Sequence, residues 1–132
     1  MIRNKILLLL LCLIVTGLMF ACGNPEESRL AKIPLEKALA SGKPTIAEFG
    51  WRECIPCKDM RPILEELDEE YKNRLNVVIV EIPYHKDLAG KYGIRVMPVQ
   101  IFFDAEGNEI TRHLGFLPKE QIVWHLMQMG IQ

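Results

Sequence analysis

Two cysteines two residues apart, Cys54 and Cys57, stand between a short apolar run, Thr45 to Phe49, and a longer amphipathic one that continues to about Lys72. That junction constrains the fold more than any other feature of the chain. The apolar run has the length and bounds of a buried strand, with one acid, Glu48, inside it. In the second run Met60, Ile63, Leu64, Leu67 and Tyr71 recur at helical spacing among charged residues. A helix therefore begins at the cysteines, with Pro62 kinking it or ending its first turn. Cysteines at this spacing serve as a redox couple, as half of a metal site or as a structural clip, and the rest of the chain must discriminate.

The remaining runs give the fold class. Leu35 to Ala40, stopped by Ser41-Gly42 and Pro44, reads as a short helix. Asn76 to Ile82 is β-branched and nearly continuous, as a strand covered on both faces requires. Lys86 to Tyr92 gives a short helix ended by Gly93; Val99 to Phe103 and Glu109 to Leu114, joined by Asp104 to Asn108, give an antiparallel hairpin; Pro118 to Met129 gives a closing amphipathic helix. The expected class is α/β, a central mixed sheet of about four strands flanked by helices. Phe49, Phe102, Phe103 and Trp124 read as core. With 132 residues and ordinary apolar and charged fractions, the chain has room for one domain.

Residues 1–22 stand outside that domain. Arg3 and Lys5 precede the apolar stretch Ile6 to Met19, which is shorter than the roughly 20 residues of a membrane span and suits a signal-peptide core. Met19-Phe20-Ala21-Cys22 resembles a bacterial lipoprotein signal, although Met19 and Phe20 depart from the commoner leucine and small residue. The resemblance implies a cleaved signal over 1–21, a lipid-bearing Cys22 with a tether over 22–32, and a globular domain over 33–132. An uncleaved anchor and a plain secretory signal are the alternatives. All three carry the domain across the membrane, so the expected location is extracytoplasmic, anchored as a lipoprotein at the periplasmic side or cell surface.

Export changes the charge and the cysteine count. Without Arg3 and Lys5, sixteen basic residues become fourteen against seventeen acids, about −3, with no basic cluster to attract nucleic acid. Of the four cysteines, Cys12 and Cys22 lie in the leader, so the domain holds Cys54 and Cys57 alone. Outside the cytoplasm so close a pair can form an internal disulfide, and redox chemistry becomes the natural reading. A zinc site would need two further ligands from His85, His113 and His125, which have no recognised ligand spacing. No metal is expected. A purely structural clip gains little, because a two-residue loop has little closure entropy.

The element order, the Cys-x-x-Cys at a strand-to-helix turn and the flanking residues together resemble the thioredoxin family. TIAEFGWRECIPCKDMRPILEELDEEY is similar to that family's strand, active-site turn and long helix, and KYGIRVMPVQIFFDAEGNEITRHLGF to its cis-proline turn, hairpin and following glycine. The resemblance covers about residues 33 to 130 and implies the thioredoxin fold. It makes Cys54, at the helix N-terminus where free N–H groups and the helix dipole favour a thiolate, the attacking thiol. Cys57 would resolve the mixed disulfide. Ile55 and Pro56 form the active-site turn, Pro56 stiffening it. No cofactor is expected beyond the redox-active Cys54-Cys57 disulfide.

Further roles follow from the same resemblance. Glu48 stands where relatives keep a buried aspartate that relays a proton to the resolving cysteine; the alternative is a solvated strand-end acid. Pro98 is the implied cis-proline, Met97 the edge that pairs with an extended substrate, and Trp51 an apolar wall, against plain core packing for Met97 and Trp51. Gly115 reads most simply as a close-packing position. Three departures stand out: Glu53 replaces the usual tryptophan before the first cysteine, Glu48 replaces aspartate, and Ile79 replaces a lysine near that acid. The implied activity is thiol-disulfide exchange on protein disulfides, leaning to reduction, by a monomer fed by a membrane electron-donor protein. A disulfide oxidase or isomerase of the same fold is the runner-up. A copper-delivering relative is a different class, disfavoured because such proteins space their cysteines by three and add a histidine.

Overall fold

The computed structural model describes Leu30 and residues 33–132. The signal stretch, Cys22 and nearly all of the tether lie outside the described residues. Helix α1 (Leu35–Leu39) leads into β1 (Thr45–Gly50), α2 (Ile55–Glu70) and β2 (Asn76–Glu81). A 3-10 turn, Ile82–Tyr84, then precedes α3 (Lys86–Lys91), β3 (Val99–Phe103), β4 (Glu109–Leu114) and α4 (Lys119–Gln128).

The four strands form one mixed sheet in the order β2-β1-β3-β4. β1 runs parallel to β2, with α2 as the crossover, and antiparallel to β3; β3 and β4 are the expected hairpin. At the hairpin turn Asp104 Oδ1 accepts hydrogen bonds from the N–H groups of Glu106 at 3.0 Å and Asn108 at 2.8 Å. Side chains alternate across a strand, so β1 presents Ile46, Glu48 and Gly50 to one face and Ala47 and Phe49 to the other. On the first face Ile46, Val77, Ile79 and Phe102 pack with Met60, Leu64 and Leu67 of α2 and Ile122 and Leu126 of α4. On the second, Ala47, Phe49, Val78, Val80, Ile101 and Phe103 pack with Leu35 and Ala38 of α1 and Leu88 of α3. Both faces of β1 are therefore dry, and all six of its residues are buried.

The helix begins at the cysteines as expected: Cys54 is the N-cap of α2, and Pro56 falls in its first turn, where a missing N–H costs no helical bond. Two expectations are corrected. Trp124 is 57 % exposed and is not core. It lies two residues beyond Ile122, on the opposite side of α4 from the stripe formed by Ile122 and Leu126. Gly115 is not a close-packing position: a Cβ built there meets nothing within 4 Å, and its φ of +94° explains the glycine.

Candidate active site

The C-terminal end of β1 carries the cysteines. Beyond Gly50 the chain turns through Trp51, Arg52 and Glu53, with the Cys54 N–H donating to Trp51 O at 2.9 Å, and enters α2. Cys54 and Cys57 are joined as a disulfide with a Cα separation of 5.3 Å. Their surroundings differ. Cys54 is half-buried at the N-cap, whereas Cys57, one turn into the helix, is only 5 % exposed. Between them Ile55 is 72 % exposed and Pro56 half-buried.

Beneath Cys57 lies the acid. Glu48 is 2 % exposed, and its Oε1 has no hydrogen-bond partner among the described residues. Burial pushes its pKa up to about 7; the positive charge of Arg61 works against that rise, and the negative charge of Glu81 adds to it. Gly50, two residues along β1 on the same face, lets this carboxyl approach the sulfur. A Cβ at position 50 would collide with Glu48 Oε1 and would lie 2.9 Å from Glu48 Cδ and 3.0 Å from Cys57 Sγ.

An ionic pair borders the acid. Arg61, from α2, donates to Glu81 Oε1 at 2.9 Å, and the other Glu81 oxygen accepts from the Arg52 N–H at 3.0 Å. Glu81 thereby ties the last residue of β2 to both the active-site turn and the helix. Arg52 in turn donates to the Tyr84 hydroxyl at 2.7 Å. Glu53, just before Cys54, is exposed.

The proline turn meets the cysteines through strand register. Val99 pairs with Phe49, so Met97 and Pro98 fall at the same end of the sheet as Gly50 and Trp51. The Met97–Pro98 bond is cis. Pro98 is buried, Met97 exposed and Trp51 half-buried. Pro98 O accepts from the Gly115 N–H at 2.8 Å, which fastens this turn to the end of β4. Among the described residues no group of three or more His, Cys, Asp or Glu side chains is placed to hold a metal ion.

Known proteins resemble this chain. The family model of the thioredoxin-like domain matches residues 32–130. The thioredoxin of Mycoplasmoides gallisepticum is 31% identical over 91 residues, 69% of this chain and 89% of its own length. The chain belongs to the thioredoxin family. The thioredoxin of Bacillus subtilis is 35% identical over 77 residues, 58% of this chain and 73% of its own length. The chloroplastic thioredoxin-like protein HCF164 of Arabidopsis thaliana is 32% identical over 100 residues, 74% of this chain, and this chain spans only 38% of that relative's length. A mutant thioredoxin from Halobacterium salinarum NRC-1 superposes with a TM-score of 0.66 over 72% of this chain and 81% of its own, at 21% identity, which speaks to the fold alone.

This member of the family carries its cysteine pair at the expected strand-to-helix turn. Of the residues singled out from sequence, Glu48, Trp51, Cys54, Ile55, Pro56, Cys57, Met97 and Pro98 all fall at one end of the sheet. Cys22 lies outside the described residues. Three neighbours of the acid were not foreseen: Gly50, Arg61 and Gln100. Gly50 could have been found as a glycine where a buried strand ends, and Gln100 as the one polar residue of VQIFF. Arg61 reads from sequence as one more charge on an amphipathic helix.

Proposed function

We propose that this thioredoxin-like chain is an extracytoplasmic reductase of protein disulfides. One observation carries the reading: within a single disulfide, Cys54 is partly open at a helix N-cap and Cys57 is buried beside Glu48. In the reduced protein the Cys54 thiolate attacks one sulfur of a substrate disulfide, breaking that S–S bond, expelling a substrate thiolate and leaving a mixed disulfide. An N-cap acceptor takes hydrogen bonds from the N–H groups at the second or third helical position. The second is Pro56, so the Cys57 N–H is the donor left to stabilise a Cys54 thiolate.

Resolution needs Cys57 as a thiolate. Glu48, whose carboxyl flanks the Cys57 sulfur, takes its proton; a carboxyl titrating near 7 is suited to accept and return one. The Cys57 thiolate then attacks the Cys54 sulfur, releases the second substrate thiolate and closes the intramolecular disulfide. Two electrons have passed to the substrate, and the Cys54-Cys57 disulfide is the cofactor of the cycle. Met97 and Pro98 offer the edge for an extended substrate segment, and Trp51 an apolar wall.

The lipoprotein-like leader supports anchoring through Cys22, with residues 33–132 as the working domain and 22–32 as its tether. Among the described residues no helix is long and apolar enough to cross a membrane. Oxidising surroundings would leave the pair oxidised, so we infer a membrane dithiol protein as electron donor, acting on a monomer. The test is insulin-disulfide reduction by the soluble domain. Cys54→Ser abolishes it, and Cys57→Ser accumulates mixed disulfides. Full activity in the Cys54 variant contradicts the assignment.

A further inference from the structure

A polar row crosses the buried face of the sheet: Glu48 on β1 stands opposite Gln100 on β3, and Gln100 opposite His113 on β4. Gln100 is fully buried, yet neither its Nε2 nor its Oε1 has a hydrogen-bond partner among the described residues, and Glu48 Oε1 shares that condition. A buried amide without partners costs about 1–3 kcal/mol, so an apolar residue would serve the core better. Three unsatisfied polar atoms therefore sit on two directly opposed side chains. Directly opposed residues of antiparallel strands have Cβ atoms about 4.5–5.5 Å apart. A glutamine and a glutamate at that spacing close into a hydrogen bond by rotation of their side chains.

We propose that Gln100 is the positioning residue for Glu48, holding its carboxyl beside Cys57 in both protonation states. This rests on the role given to Glu48 above. A group that cycles between acid and carboxylate needs a partner that accepts from the one and donates to the other. A primary amide does both, whereas a lysine only donates and would fix the carboxylate form. Burial next to Ile79 makes such a partner necessary, because an ionised carboxylate in a dry site needs hydrogen bonds.

The other groups around this pair are Cys57 and Arg61 from α2, Glu81 at the end of β2, and His113 from β4. His113 is half-buried, with Nε2 3.2 Å from Phe116 O. His125 of α4 stacks near Phe102, with ring centroids 4.9 Å apart, on the same face. None of them offers both a donor and an acceptor at the position directly opposite Glu48.

The test is the pH dependence of mixed-disulfide resolution in single-turnover experiments on the soluble domain, for the parent and for Gln100→Leu, each with Glu48 intact or changed to Ala. A hydrogen bond to a charged acceptor is the stronger kind, so its loss favours the protonated acid. Gln100→Leu is expected to raise the midpoint of the profile by about one pH unit and to slow resolution near neutrality about fivefold. In the Glu48→Ala background it is expected to change nothing further. If Glu48→Ala moves the profile and Gln100→Leu does not, the proposal fails and the role of Glu48 stands. If Glu48→Ala leaves the profile unchanged, the role of Glu48 fails and takes the proposal with it.

A second measurement needs no variant. In the unsubstituted protein the Gln100 side-chain NH2 resonances are expected to titrate with the midpoint of the Glu48 carboxyl carbon. Flat Gln100 resonances across that titration overturn the proposal.

Discussion

The carboxyl of Glu48 and the sulfur of Cys57 converge on the bare Cα of Gly50: a Cβ built there would lie 2.9 Å from Glu48 Cδ and 3.0 Å from Cys57 Sγ. The residue between the two groups holds them in reach by having no side chain. Changing Gly50 to Ala requires the carboxyl, the sulfur or the backbone to move. The expected result is a folded protein whose resolving step is slowed about as much as in Glu48→Ala. Single-turnover release of a mixed disulfide, compared between the two variants, checks this; a Gly50→Ala protein with the parent rate contradicts it.

Glu48 also makes stability depend on pH. Its folded value of about 7 exceeds the ordinary 4.5 of the unfolded chain. Below the ordinary value both states are protonated and the group costs nothing; stability is then lost as pH rises through the folded value, and the unfolded state ionises first. Above neutrality the penalty is on the order of 3 kcal/mol. Glu48→Gln should therefore be more stable than the parent above about pH 7, with the gain vanishing below about pH 4.5. Denaturant unfolding of both proteins at several pH values measures the difference, and a constant difference across pH contradicts the account.

Arg61 supplies the cation that Ile79 does not. Its charge lowers the proton affinity of Glu48 from the helix side, while its partner Glu81 raises it. Arg61→Met leaves Glu81 unopposed, so the Glu48 midpoint should rise; Glu81→Gln should lower it. Carbon-13 NMR of the Glu48 carboxyl in the two variants gives the sign of each shift, and shifts in the same direction contradict this arrangement.

Much of this was legible in the chain. The Cys54-x-x-Cys57 junction, the β-branched run at Asn76 and the hairpin at Val99 to Leu114 carry local signals, namely apolar periodicity and turn residues, and the structure returns those elements within a residue or two. What escaped depends on contacts distant in sequence. The charge at Arg61 acquires its meaning only when α2 packs over β1 and brings it to an acid thirteen positions earlier. Gln100 becomes informative only when strand register sets it opposite Glu48. Trp124 is exposed despite its aromatic ring, because its phase on α4 turns it away from the buried stripe of Ile122 and Leu126.

The anchor is tested at Cys22. Cys22→Ala should free the protein from the membrane fraction or mislocalise it, and should abolish lipid labelling, while the soluble domain keeps its full insulin-reducing activity. Lipid labelling that persists in this variant contradicts the lipoprotein reading.

The most direct test of the central claim is the reduction potential of the Cys54-Cys57 pair in the soluble domain, equilibrated against glutathione. Close to the roughly −270 mV of thioredoxin, the pair donates electrons to protein disulfides, and this is the predicted result. Close to the roughly −120 mV of strongly oxidising relatives, the same cysteines would give disulfides to substrates, and the reductase account would be contradicted.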